Sequence, residues 1–179
     1  MGGLNLLLTG RPRAGKTTLV ERLIERLRRE GPELKLAGFT TTELRDAAGE
    51  RTGFAIVTLG GEQATLARAG LASRVRVGRY GVDLEAFERL ALPELARRDA
   101  DLLVVDEIGK MECASGRFRR AVEDALDSPV AVLGTLGISP LPFFQALRER
   151  PDVEVITVTL RNRDALVEEV CARLRGMRG

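Results

Sequence analysis

The chain has 179 residues, 44% of them hydrophobic and 30% charged, a composition typical of one globular domain with a buried core. The net charge of +2 comes from interspersed acids and bases, so charge indicates neither a nucleic-acid nor a membrane partner. Histidine is absent, which excludes histidine bases, imidazole metal ligands and Ser-His or Cys-His nucleophilic pairs. We therefore expect a single domain over residues 1–179 whose acid–base chemistry falls to carboxylates, Lys, Tyr or water.

Cysteine content and hydropathy predict the compartment. Cys113 and Cys171 are too few and too far apart for a disulfide framework or a zinc site. No apolar run reaches the length of a membrane span, and the N-terminus lacks the pattern of a signal peptide. These features predict a cytoplasmic protein.

The first predicted unit is a strand, a glycine-rich loop and a helix. Leu4 to Thr9 form a short apolar run, and apolar residues recur at helical spacing from Leu19 to Leu27. The loop between them matches G-x-x-x-x-G-K-[ST], whose backbone N–H groups and helix dipole bind phosphate oxygens. The sequence therefore predicts a nucleoside-triphosphate site formed by Gly10, Arg11, Pro12, Arg13, Ala14, Gly15, Lys16, Thr17 and Thr18.

Two side chains of this loop have specific expected roles. Lys16 neutralises the β- and γ-phosphates and acts on the charge that develops there during the reaction. Thr17 offers its hydroxyl to Mg²⁺, which bridges the same two phosphates. Mg²⁺ is thus the expected cofactor, and a nucleoside triphosphate the expected substrate.

The next region is rich in β-structure. Residues 36–60 contain two β-rich pieces around a polar turn at Asp46 to Gly53, which predicts an inserted hairpin that reaches over a bound ligand. A helical pattern follows from Val82 to Ala100, and Pro93 is expected to break or restart that helix.

A second chemical motif follows the next predicted strand. An uninterrupted apolar run, typical of a central parallel strand, ends in Asp106 and Glu107. Asp106 is expected to hold Mg²⁺ directly or through water, and Glu107 to polarise the water that attacks the γ-phosphate. A capping or solvated acid is the structural alternative for Glu107. The predicted nucleotide-binding segment comprises Leu102, Leu103, Val104, Val105, Asp106, Glu107, Ile108 and Gly109.

Further side chains are candidates for contact with the phosphates. Lys110 could stabilise transition-state charge or form a salt bridge. Thr135, just after the apolar run Val130 to Leu133, could bond the attacking water or a γ-phosphate oxygen, or it could simply end the strand. An arginine finger could act in cis or across an interface, although a solvated surface arginine is the simpler interpretation of each candidate. The candidates are Arg11, Arg13, Arg45, Arg79 and Arg163.

The remaining elements are a strand from Val153 to Leu160 and a helix from Asp164 to Arg175 that carries one apolar stripe. Alternation of strands and helices predicts an α/β fold with three layers.

The run Asp106-Glu107-Ile108-Gly109-Lys110-Met111-Glu112 closely resembles the hallmark of the thermophilic and cancer-related nucleoside-triphosphatase family. Gly38-Phe39-Thr40-Thr41-Thr42-Glu43-Leu44-Arg45 and Arg51-Thr52-Gly53-Phe54 are also similar to segments of that family. The resemblance implies a P-loop fold with a mostly parallel, RecA-like sheet and Mg²⁺-dependent hydrolysis of ribo- and deoxyribonucleoside triphosphates. It assigns that chemistry to Lys16, Thr17, Asp106 and Glu107.

One residue departs from the family pattern. Arg13 stands where the family's phosphate loop has its middle glycine. Arg13 could be accommodated there if its φ is negative, with its guanidinium then reaching a phosphate or facing solvent.

The leading prediction is hydrolysis of ATP, GTP, CTP, UTP and their deoxy forms, since the sequence carries no N-K-x-D guanine reader. One alternative is a nucleotide or small-metabolite kinase, in which the hairpin and the residues from Arg76 to Tyr80 close on a phosphoryl acceptor. Another is a regulatory switch, in which nucleotide orders the insertion and exposes a partner surface.

Overall fold

The computed structural model describes residues 3–176 and has the α/β composition that the sequence predicts. None of the helices in this part of the chain is long and apolar enough to cross a membrane. In chain order the elements are β1 (Asn5–Thr9), α1 (Lys16–Glu30), β2 (Leu36–Arg45), β3 (Arg51–Thr58), β4 (Gln63–Ala69), β5 (Arg76–Val77), β6 (Tyr80–Val82), α2 (Leu84–Leu95), β7 (Leu102–Ile108), a 3-10 turn (Glu112–Ala114), α3 (Gly116–Leu126), β8 (Ala131–Leu136), α4 (Pro142–Glu149), β9 (Val153–Thr157) and α5 (Arg163–Arg175).

Within the described residues the strands form one nine-stranded sheet in the order β5-β6-β4-β3-β2-β7-β8-β1-β9. Strands β2, β7, β8, β1 and β9 run parallel to one another, whereas the pairs among β2 to β6 are antiparallel. Strand β8 lies between β1, which leads into the phosphate loop, and β7, which ends in the two acids. This is the RecA-like arrangement that the family resemblance implies.

The antiparallel part of the sheet is larger than the sequence predicts. Strands β2 and β3 pair as the expected hairpin around residues 46–50, but β2 also pairs with β7 and so belongs to the parallel half. Strands β4 to β6 continue the antiparallel half to Val82, well beyond residue 60. These strands are short and separated by turns, so they give little periodicity in the sequence.

Apolar residues on both faces of the parallel strands explain the layered packing. Side chains alternate along a strand, so Leu103 and Val105 of β7 join one buried cluster, and Leu102 and Val104 join the other. The first cluster includes residues of α2, α3 and α4, and the second includes residues of α1 and α5. Helices thus cover both faces of the sheet, which leaves the carboxyl ends of the parallel strands as the open edge.

Two element boundaries differ from prediction. Helix α2 continues through Pro93 to Leu95, where the carbonyl that loses its bond belongs to the exposed residue Arg89. Strand β9 ends at Thr157 because the Asn162 side chain forms a turn there, accepting from the Thr159 N–H and donating to the Thr157 carbonyl. Leu160, expected in that strand, is 65% exposed.

Candidate active site

The phosphate loop lies between β1 and α1, as the motif requires. Gly15 adopts φ 93°, and a Cβ atom at Gly10 would lie 2.5 Å from the carbonyl oxygen of Val158. Both glycines are therefore required by the path of the chain. The Lys16 ammonium donates hydrogen bonds across the loop to the carbonyls of Gly10 and Arg11, at 3.0 and 3.3 Å. The positive charge is thus held over the concave side of the loop, at the start of α1.

Arg13 does not have the negative φ that would accommodate this residue without strain. Arg13 has φ 64°, the left-handed conformation that a glycine adopts freely and that costs another residue about 1–2 kcal/mol. The turn that contains it is closed by a hydrogen bond from the Ala14 N–H to the Arg11 carbonyl. Arg13 is exposed, so its side chain projects outward while its backbone follows the path that a glycine would take. The loop geometry is kept at the expense of local strain.

Asp106 and Thr17 lie side by side, although 89 positions separate them in the sequence. The Asp106 carboxylate is 1% exposed, and its Oδ1 accepts a hydrogen bond from Thr17 at 3.4 Å and another from Thr135 at 2.5 Å. Its Oδ2 is buried and has no hydrogen-bond partner among the described residues. Burial raises the pKa of this carboxyl, and the hydrogen bonds from the two threonines oppose that rise.

This arrangement fits Mg²⁺. A buried carboxylate oxygen without a partner is costly, and a hard cation or its bound water satisfies such an oxygen. Asp106 and the Thr17 hydroxyl would therefore hold the metal, which agrees with the roles predicted for them.

Glu107 follows at the end of β7, joined to Asp106 by a cis peptide bond. Its half-buried carboxylate lines the cavity together with Lys16. Burial and the neighbouring Asp106 raise the pKa of Glu107, whereas Lys16 lowers it. The alternative that Glu107 caps a helix is wrong, because the N-cap of α3 is Ser115, whose side chain accepts from the Phe118 N–H.

Two cavities meet at these residues. One, of about 750 Å³, extends from Lys16 and Glu107 towards Ile138 and Phe144. The other, of about 850 Å³, lies between the phosphate loop and the arginines of the antiparallel strands. Lys16, Thr17 and Glu107 line both, so the reacting groups stand where the two spaces join.

The sequence and the fold match one group of proteins. The family model described as NTPase matches residues 5–171. The nucleoside-triphosphatase THEP1 of Thermotoga maritima is 40% identical over 178 residues, covering 98% of both chains. The human cancer-related nucleoside-triphosphatase is 39% identical over 189 residues, covering 97% of this chain and 98% of its own. This chain belongs to the nucleoside-triphosphatase family.

Solved structures of nucleoside-triphosphatases have the same fold. The crystal structure of THEP1 from Aquifex aeolicus superposes with a TM-score of 0.84 at 36% identity, covering 95% of this chain and 98% of that one. The solution structure of the human cancer-related enzyme gives a TM-score of 0.83 at 39% identity, covering 98% and 99%. The expected P-loop α/β fold is therefore confirmed.

Thr135 makes a contact that its position in the sequence does not predict. Its side chain is fully buried, and its single hydroxyl hydrogen is donated to Asp106 Oδ1. It lies at the end of β8, the strand between β1 and β7, and its hydroxyl bonds the same oxygen of Asp106 as Thr17 does. If Asp106 of this nucleoside-triphosphatase holds Mg²⁺, Thr135 positions the carboxylate that binds the metal.

Replacement of Thr135 by Val is expected to weaken metal binding about tenfold or more, because a hydrogen bond to a charged group contributes ~1.5–3 kcal/mol. Thr135→Ser retains the hydroxyl and should restore wild-type affinity. Mn²⁺ titration followed by electron paramagnetic resonance measures the affinity directly, without turnover. Equal affinities in the Val and Ser variants would contradict the positioning role.

Glu112 is a buried acid whose importance the sequence did not reveal. It is 4% exposed, and burial together with the nearby Glu107 raises its pKa to about 8. A Cβ atom at Gly109 would lie 2.6 Å from Glu107 Oε1 and 2.7 Å from Glu112 Oε2. Because Gly109 has no side chain, the carboxylates of Glu107 and Glu112 can both lie close to its backbone. Only the resemblance to the family motif singled out Glu112, since hydropathy does not distinguish this acid from a solvated one.

Glu112 should make stability depend on pH. Its pKa rises from 4.5 to about 8 on folding, so its favourable contribution is complete below 4.5 and is lost as pH rises through 8. The melting temperature of the wild type should fall between pH 4.5 and pH 8 as Glu112 ionises, and Glu112→Gln should make that fall shallower. The variant loses a pH-dependent part of the free energy of unfolding on the order of a few kcal/mol. Thermal unfolding at a series of pH values measures this. A variant that keeps the wild-type slope would show that Glu112 titrates normally.

The arginine candidates separate into three places. Arg13, Arg45 and Arg79 line the second cavity, together with Arg51, which the sequence analysis did not single out. Arg45 and Arg51 are paired with Glu43, and Arg79 donates to the Arg51 carbonyl. Arg163 lies on the other side of the loop, where its guanidinium would be 3.0 Å from a Cβ atom at Gly15. Arg11 is exposed and holds the loop only through its carbonyl.

Lys110 is exposed at the first cavity, next to Gly109. Its position allows contact with a ligand there, and its catalytic role stays a prediction.

Proposed function

We propose that this nucleoside-triphosphatase uses Mg²⁺ and accepts ribo- and deoxyribonucleoside triphosphates with little regard to the base. Hydrolysis of nucleoside triphosphates follows from its family. The observation that carries the finer proposal is that Lys16, Thr17 and Glu107 line one cavity, with the buried Asp106 hydrogen-bonded to Thr17 behind it. These groups would act on the metal and on the triphosphate, which all nucleoside triphosphates share, and this supports tolerance of different bases.

Most residues of the site bind the phosphates or the metal, and one residue accepts a proton. Backbone N–H groups of the loop and the Lys16 ammonium hold the phosphate oxygens and stabilise charge as the terminal bond breaks. Bound Mg²⁺, held by Thr17 and Asp106, supplies Lewis-acid neutralisation of the phosphate oxygens.

Glu107 takes up the proton of the nucleophile. The carboxylate accepts a proton from water as the water oxygen bonds to the γ-phosphorus, and the bond from that phosphorus to the β–γ bridging oxygen breaks. The products are a nucleoside diphosphate and inorganic phosphate. A carboxylate with a raised pKa is a stronger base than an ordinary glutamate, which suits this step.

A panel of ATP, GTP, CTP, UTP and their deoxy forms tests the proposal. Phosphate release is expected within about tenfold across the panel with Mg²⁺ and at background with EDTA, since the metal contributes several kcal/mol of charge stabilisation. Preference for one base by more than about a hundredfold would indicate a base-reading site. Activity that persists in EDTA would contradict the assignment of Mg²⁺.

A further inference from the structure

The first cavity extends well beyond Lys16 and Glu107. A water molecule takes a volume of about 30 Å³, whereas sites for small organic ligands occupy ~300–1,000 Å³. This cavity has about 750 Å³. One end holds Lys16 and Glu107, where the γ-phosphate reacts, and the other reaches the segment after β8. We call the part beyond Glu107, lined by Thr41, Thr42, Phe54, Met111, Ile138 and Phe144, the acceptor cleft.

The walls of the acceptor cleft differ in character. Phe54, Met111, Ile138 and Phe144 form an apolar side, and Ile138 is 62% exposed although it is a large hydrophobic residue. Exposed apolar groups that line a concave space are typical of ligand sites. Thr41 and Thr42 of β2 also line this space and add polar atoms to its wall. The cleft therefore suits a molecule with a flat apolar part and several hydroxyls.

The catalytic end of the cleft suits a hydroxyl nucleophile. Glu107 and Glu112 approach the same place beside Gly109, and both line the cavity with the Lys110 side chain at its edge. An alcohol placed there meets the same carboxylate that accepts the proton of water. The chemistry at the phosphorus is unchanged whichever oxygen attacks.

We propose that the acceptor cleft binds a nucleoside and that a nucleoside hydroxyl replaces water there, so that the enzyme also transfers the γ-phosphoryl group. The inference rests on the proposed function, because Lys16 and Glu107 serve both reactions. The nucleoside oxygen bonds to the γ-phosphorus while the bond from that phosphorus to the bridging oxygen breaks. Glu107 receives the hydroxyl proton, and a nucleoside diphosphate leaves. The phosphorylated product is a nucleoside monophosphate.

The test uses the full chain with ATP labelled at the γ-phosphate, Mg²⁺ and, one at a time, adenosine, guanosine, cytidine, uridine or thymidine. Chromatography separates labelled inorganic phosphate from labelled nucleoside monophosphate. At least one nucleoside is expected to capture about a tenth or more of the label, because a bound hydroxyl competes with water through its high effective concentration.

Ile138→Asp places a charge on the apolar wall and should lower transfer about tenfold or more, the effect of losing ~1.4 kcal/mol of binding. Leu160→Asp is the matched control, because Leu160 is also exposed but does not line the cavity. Equal loss of transfer in both variants would overturn the assignment of the cleft. Phosphate release with no labelled nucleoside would overturn the cleft alone, whereas loss of both products would overturn the hydrolytic mechanism on which it rests.

Discussion

Glu107→Gln is expected to bind nucleoside triphosphate as tightly as the wild type but to release phosphate about 10²–10⁴ times more slowly, the usual effect of removing a general base. The amide has the shape of the carboxylate but accepts no proton from water. Glu107 lies at the end of a buried strand beside Lys16, so the substitution leaves the loop and its helix in place. Single-turnover phosphate release measures the chemical step, and equilibrium dialysis with ATP measures binding.

Glu85→Gln is the matched control for this substitution. Glu85 is exposed in the first turn of α2, away from both cavities, and its replacement should leave turnover unchanged. If Glu107→Gln kept full turnover, water would be activated by another group and Glu107 would have no catalytic role. If the variant lost nucleotide binding as well, the carboxylate would be needed to form the site.

Asp106→Asn is expected to remove the response to Mg²⁺ and to reduce turnover by about 10² or more, because metal ions contribute several kcal/mol of transition-state stabilisation. The same variant should melt at the wild-type temperature or above it in the absence of nucleotide. Burial raises the pKa of Asp106, so near neutral pH its ionised form opposes folding, and a neutral amide removes that opposition.

Metal titration of activity and thermal unfolding of the nucleotide-free protein test the two halves of this prediction. Asp124→Asn, an exposed position on α3, is the control for both. A variant that loses activity and also melts well below the wild type would show that the Asp106 carboxylate stabilises the fold. Unchanged metal dependence would exclude Asp106 as a ligand.

Local patterns predicted the parts of the site that lie within one stretch of chain. The phosphate loop and the acids at the end of β7 are each a strand followed by a polar turn, and that signal is complete in the sequence. The contact between Thr135 and Asp106 exists because β8 lies beside β7 in the sheet, and the order of strands in a sheet cannot be predicted from their spacing in the sequence. The sequence therefore indicates Thr135 as a candidate but does not identify Asp106 as its partner.

Two other differences have physical causes that a sequence does not display. The φ of Arg13 is set by the path the loop must take, and that requirement outweighs the residue's own preference for negative φ. The environment of Glu112 is set by the 3-10 turn and the helices that cover it, so an acid in a polar stretch becomes buried. Propensity describes the isolated residue, whereas both outcomes depend on distant packing.

The place of β1 in the sheet also determines when the site can form during folding. Asn5 pairs with Val132 of β8 on one side and with Val153 of β9 on the other. The strand that carries the phosphate loop is thus synthesised more than a hundred residues before both of its neighbours. Contacts so distant in sequence are slow to form. We therefore expect a growing chain that already contains Lys16 to acquire nucleotide binding only after β8 and β9 have emerged.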